Sequence, residues 1–294
     1  MQDFESLKRS IDSTRDLESV VRTMKTLAAV SIRQYEQAVD SLTDFSETVE
    51  LGLKMVLWDS PLESRLRGLK ADGATGIIIF GSDQGMCGQF NEQIGSHAWE
   101  HFSNDSDKGK YLAWMTIGSR ISNKLLDLGA NIDFTFSLPG SATGIAPLVI
   151  DILASIDHWR REKSLDRIYI SYNRRVSAST YKPHMLQLLP IDPACIFHHK
   201  KRKWSSQTLP MFTMNRSVLL SRLIRQYLFV SLFRACAESL AGENASRIAS
   251  MQAAERNIKE RLVNLQSEYN QQRQTSITEE LLDVVTGFEA LKDS

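Results

Sequence analysis

Between Gly81 and Gly88 the chain reads Gly-Ser-Asp-Gln-Gly-Met-Cys-Gly, a glycine-rich run after an apolar stretch and before a helical one. Phosphate-binding loops occupy such places, because a helix N-terminus offers free N–H groups and partial positive charge. The spacing argues against that use. Gly81, Gly85 and Gly88 do not make G-x-G-x-x-G, and no Lys-Ser or Lys-Thr follows to complete a Walker loop. A structural turn is the better reading. Asp83 and Cys87 share the run, and His97 and His101 follow one helical turn apart. A zinc site needs a third ligand, and Ala98 stands where an H-E-x-x-H motif needs its acid. Neither metal nor cofactor is expected. His198-His-Lys-Lys-Arg-Lys-Trp204 is the one dense basic run; it reads as a solvated loop, with an acidic surface or a lipid headgroup as the sharper alternative. With no Ser-His-Asp set, paired carboxylates or G-x-S-x-G, the sequence offers no reaction centre and no catalytic residue.

The elements around these residues follow from where helix breakers are absent. No Gly or Pro occurs from Met1 to Leu51, and all seven prolines lie between 61 and 210. Long helices are therefore expected at both ends. In the first, heptad positions a (Phe4, Ile11, Glu18, Lys25, Ile32, Val39) and d (Leu7, Thr14, Val21, Ala28, Tyr35, Leu42) are apolar except Thr14, Glu18 and Lys25. A buried unpaired charge is costly, so the spacing predicts that the seam rotates away there or meets another protein. At ~1.5 Å per residue, some 55 residues make a rod of roughly 80 Å, most of it projecting beyond a small domain. The last helix starts near Asn215 or Ser217 as cap and runs for about 75 residues, on the same periodicity argument. The two rods are too long and unequal for a simple bundle, and they read as an antiparallel pair.

The middle alternates strand-like runs (75–81, 110–118, 132–137, 166–173, 181–190) with helical ones (91–102, 120–128, 146–161), the pattern of a largely parallel α/β sheet. Pro183 marks the last strand as an edge or entry. The expected organisation is 1–60, an N-terminal coiled-coil helix; 70–210, a central α/β domain; and 211–294, a C-terminal coiled-coil helix. Lys+Arg and Asp+Glu number 35 each, so overall charge favours neither nucleic acid nor anionic membrane. No apolar run reaches transmembrane length, and the acidic start lacks the pattern of a signal or transit peptide. Cys87, Cys195 and Cys236 offer neither a disulfide framework nor C-x-x-C spacing.

Three separated segments resemble the gamma subunit of F-type ATP synthases: Val21 to Arg33, the turn Phe80 to Asn91, and Ala237 to Met251 with Tyr269 to Leu281. They occur in the family's order and bracket its architecture. The fold class implied is α/β, a long antiparallel coiled coil of N- and C-terminal helices plus a small Rossmann-like, largely parallel α/β domain. The resemblance implies a central-stalk rotor, not an enzyme. Its partners would be the alpha and beta subunits of the F1 head, an epsilon-type subunit and the membrane c-ring, with no nucleic acid. It would be a peripheral protein on the cytoplasmic side of a bacterial plasma membrane. Met24 with Lys25, and Arg273, Gln274, Thr278 and Glu280, match family positions that contact the stator head, which accounts for the polar break in the seam. Asp16, Glu18, Ser31, Gln84, Gln89, Phe288 and Glu289 depart from the family pattern and fit a divergent branch, such as the alternate bacterial F-type ATPase. The rival readings are a nucleotide-using α/β protein with helical arms and a coiled-coil adaptor unrelated to ATP synthesis.

Overall fold

A computed structural model describes residues 2–57, 74–104, 112–165, 167–176, 181–191 and 211–292; the basic run 198–204 and Cys195 lie outside them. The elements are α1 (Gln2–Ser41), α2 (Thr43–Leu57), β1 (Thr75–Phe80), α3 (Phe90–Asn104), β2 (Leu112–Ile117), α4 (Ser119–Asp127), β3 (Ile132–Phe136), α5 (Ile145–Glu162), β4 (Arg167–Arg175), β5 (Tyr181–Leu189) and α6 (Arg216–Lys292). The chain divides into two compact units, Met1–Leu27 with Ile248–Ser294, and Ala28–Arg247.

In the second unit the strands form one sheet in the order β3-β2-β1-β4-β5. The first four are parallel, and β5 runs antiparallel along the edge of β4. Edge placement suits Pro183, which has no N–H to give to a second neighbour. Every residue of β1 is buried, as a central parallel strand covered on both faces requires. On one face Ile78, Phe80, Met115 and Ile170 pack with α5 and with Leu232 to Ala241 of α6. On the other, Ile77, Ile79 and Trp114 pack against Ile94 and Ala98 of α3 and Ile121 and Leu125 of α4. A third cluster joins Val49, Leu53, Val56 and Leu57 of α2 to Leu220 of α6 and Ile191.

The single N-terminal helix expected from sequence is two helices, interrupted at Leu42, whose N–H bonds back three residues to Val39 O rather than four. The cause is local: Ser41 Oγ donates to Ala38 O and Thr43 Oγ1 to Val39 O, so hydroxyls compete with the helical ladder. α6 spans 77 residues, and Asn215 caps it by accepting the Ser217 N–H at 3.0 Å.

In the first unit, residues of α1 and α6 pair antiparallel. Lys25 meets Glu255 at 2.5 Å, and the Phe4 ring stacks on Tyr269 at 4.5 Å. The heptad seam keeps its phase through the polar stretch: Ile11 and Val21 are buried, with Thr14, Glu18 and Lys25 half-buried between and beyond them. The seam does not rotate away, and each of these groups has a partner within the chain. Thr14 Oγ1 donates to Ser10 O at 2.6 Å, Arg22 pairs with Glu18 at 3.3 Å, and Lys25 reaches across to Glu255.

Candidate functional site

The order of the strands reverses beside β1, with β2 and β3 on one side and β4 on the other. In open α/β sheets, ligands bind outside the carboxyl ends of the strands at such a reversal. The glycine-rich run enters this place from β1, and its geometry shows what it holds. Asn91 and Ser82 clamp the run: Ser82 N–H donates to Asn91 Oδ1 at 2.9 Å, and Asn91 Nδ2 donates to Ser82 Oγ at 2.8 Å. Asp83 turns the other way. Its Oδ1 accepts the Ser119 N–H at the start of α4, and its Oδ2 accepts the Leu138 N–H beyond β3, both at 2.7 Å. One carboxylate thus ties together the loops after β1, β2 and β3, and it occupies the N-terminus of α4 with a negative charge of the chain's own. Gly118, at φ 115°, lets the backbones meet, because a Cβ there would lie 2.8 Å from Ser82 O.

The crevice itself is filled by α6. Ser246 Oγ donates to Cys87 O at 2.5 Å and lies 3.2 Å from the Tyr181 hydroxyl. Gly242, one turn earlier, stands against the end of β4, where a Cβ would be 3.1 Å from Asn173 O and 3.6 Å from the Phe90 ring. Asn173 in turn donates from Nδ2 to Phe90 O at 3.0 Å. Between them Glu243 pairs with Arg247 inside the helix. Burial raises the Glu243 carboxyl above its ordinary pKa, and the Arg247 guanidinium opposes that rise. The Cys236 thiol is pushed far up by burial and is an inert core group, while the Tyr35 phenol of α1 rises for the same reason with Glu243 nearby. The nucleotide-using rival loses its site here, since the crevice holds the chain's own helix.

Chemistry-bearing residues elsewhere stay apart. His97 and His101 are exposed on α3, and among the described residues no three His, Cys, Asp or Glu side chains are grouped to hold a metal.

The family described as ATP synthase matches residues 3–291. The chain belongs to the ATP synthase gamma family. A curated relative, the ATP synthase gamma chain of Bartonella bacilliformis, is 27% identical over 314 residues, covering 99% of this chain and 100% of the relative. Among solved structures, a chain of the Euglena gracilis mitochondrial ATP synthase (OSCP/F1/c-ring, rotational state 3) shares the fold with TM-score 0.67 at 15% identity, over 99% of this chain and 95% of its own. The rotor of the same organism's enzyme gives 0.62 at 13% identity, over 94% and 99%. The central stalk and c-ring of the Tetrahymena thermophila enzyme gives 0.56 at 19%, over 80% and 99%.

The gamma-family segments now have a structural reason. Two of those that carry the resemblance, Phe80 to Asn91 and Ala237 to Met251, are the two that meet at Ser246 and Cys87, 159 positions apart in sequence. The contact residues expected from the family all lie in the helix-pair unit, but not as one site. Met24 is half-buried on α1, and Lys25 is engaged with Glu255. Arg273, Gln274, Thr278 and Glu280 are exposed on α6. Arg273 lies 18 residues past Glu255 (273 − 255), about 27 Å along the helix. The Thr278 hydroxyl donates back to Gln274 O at 2.8 Å within α6.

Sequence reasoning missed a second set of residues. Leu17, Val20 and Leu27 are exposed at helical spacing beside Met24, with Leu27 62% exposed. On α6, Val263, Ile277, Leu281, Val284 and Val285 are also exposed, Leu281 by 61%. They stand roughly 100–200° around the helix from the seam residue Leu265. The signal was present as a second apolar stripe, out of phase with the heptad.

Proposed function

We propose that this gamma-type chain is the non-catalytic central rotor of an F1 head, coupling ion flow through a membrane rotor to ATP synthesis or hydrolysis. The alpha and beta subunits surround the helix pair, and an epsilon-type subunit and the c-ring engage the α/β unit. The complex sits on the cytoplasmic face of a bacterial plasma membrane; among the described residues no helix is long and apolar enough to cross a membrane.

The observation that carries this reading is the exposed apolar surface of the helix-pair unit, on α1 outside the seam and on α6 both beside the seam and past Tyr269, where it meets the start of α1. Exposed apolar residues grouped at helical spacing mark interaction sites, and here Leu17, Val20 and Leu27 on α1 and Ile277, Leu281, Val284 and Val285 on α6 form such groups. Unequal side chains around a turning pair give three equivalent sites different contact energies. Differential contact energy is what shifts a site's conformational population. Met24, Lys25, Arg273, Gln274, Thr278 and Glu280 are the proposed stator contacts, flanked by these apolar residues.

Truncation of residues 273–294 in the assembled complex tests the reading. The α/β unit stays folded, since its cores use nothing beyond Ala241. ATP-driven ion pumping in membrane vesicles is expected to fall severalfold. Pumping and synthesis at the full-length level in the truncated complex would defeat the proposal.

A further inference from the structure

A rotor must pass torque from the α/β unit into its long helix, and the packing suggests where. Around Leu232 to Ser246 every α6 residue is buried or half-buried. Much of that contact is apolar, through Leu232, Ala235, Ala237, Leu240 and Ala241. Apolar contact is non-directional. It resists separation of the helix from the sheet far better than it resists the helix turning about its own axis. Directional contacts and close steric fits resist turning.

We propose that Gly242 and Ser246 form the torque-bearing key between α6 and the α/β unit; this rests on the rotor reading above. The two residues stand one turn apart on the same face of the helix. Ser246 is bonded to the loop after β1 through Cys87 O, and Gly242 is seated on the end of β4 at Asn173 O. Any turn of the helix lifts both from their places at once. The socket is braced for load. From Cys87 the loop passes back through the Ser82–Asn91 clamp and the two Asp83 hydrogen bonds to β1, β2 and β3. From Asn173 the path enters β4 and, through Phe90 O, the start of α3. The glycine-rich run, placed where other α/β sheets hold a ligand, is here the wall that grips a shaft.

Ser246→Ala in the complete complex tests the key, in inverted membrane vesicles followed with proton and with sodium probes. Without an opposing ion gradient, ATP hydrolysis and pumping should equal those of the unmodified complex. As the gradient rises, ions moved per ATP should fall below it by roughly fivefold, the change that loss of one buried neutral hydrogen bond produces in an equilibrium. Ser246→Thr, which keeps the hydroxyl, should restore the ratio. A merely structural serine would not produce a deficit that appears only under load. If Ser246→Ala leaves β1 amides unprotected from hydrogen exchange, Ser246→Cys replaces it, the thiol being a weak donor. Pumping equal to the unmodified complex against every gradient, in whichever variant folds, overturns the key and leaves the rotor reading standing. An unmodified chain that never assembles with an ATP-hydrolysing head overturns the rotor reading itself.

Discussion

Residues 232–246 and 273–286 belong to one helix, yet they live in opposite surroundings. The first stretch has no exposed residue, and the second is exposed throughout. Their compositions match their surroundings only in part. Ala, Gly, Ser and Cys dominate the buried stretch and admit the backbones of β4 and the loop after β1. The exposed stretch carries Ile277, Leu281, Leu282, Val284 and Val285, larger apolar groups than its environment explains. Small residues thus mark where the chain grips itself, and the large unburied ones are the surface proposed to meet the F1 head. A helix can serve both purposes because its backbone hydrogen bonds are satisfied internally, leaving each stretch of side chains free to suit its own neighbours.

The contrast can be broken most forcefully in the α/β unit. Trp159 is fully buried, and its Nε1 donates to Asp133 Oδ2 at 2.9 Å. Trp159→Ala should cost about 3–5 kcal/mol, seen in denaturant unfolding followed by near-ultraviolet circular dichroism of the full chain. A loss below 1 kcal/mol would mean that this core does not hold the unit together.

At the exposed end the expectation reverses. Leu281→Asp should alter stability by no more than about 0.5 kcal/mol, as for other solvent-facing positions. Its effect should fall on ATP-driven pumping by the assembled complex, which drops severalfold. A variant that unfolds instead would show that Leu281 is buried in the free chain, and the comparison would fail.

The subtlest test lies at the seam. Glu255 accepts hydrogen bonds from Lys25 at 2.5 Å and Lys259 at 2.9 Å, and these hold its carboxyl down at about 2 from an ordinary 4.5. A depressed carboxyl pKa gives stability that is complete above the unfolded value and is lost as pH falls through the folded one. Helicity of the pair should therefore be steady above pH 4.5 and decline toward pH 2. Glu255→Gln should flatten that dependence, measured by far-ultraviolet circular dichroism across an acid titration. An unchanged acid profile would remove the cross-helix bond from the account.

Much of this molecule was legible from local pattern alone. The heptad positions from Phe4 to Leu42 are the residues the seam half or fully buries, Asn215 caps α6, and each strand-like run in the middle became a strand. These features depend on neighbours within a few residues, so periodicity and capping chemistry report them. Sequence could also reject the glycine-rich run as a phosphate loop, since that judgement needs only spacing. It could not say what the run holds, because Ser246 arrives from 159 residues away. Nor could it resolve Lys25, whose environment depends on whether the returning helix places Glu255 opposite, or the break at Leu42, where hydroxyls and the helical ladder compete closely. Secondary structure is decided by short-range sterics and hydrogen bonding; the partner of a polar group is decided by where the chain comes back, and only the folded structure contains that information.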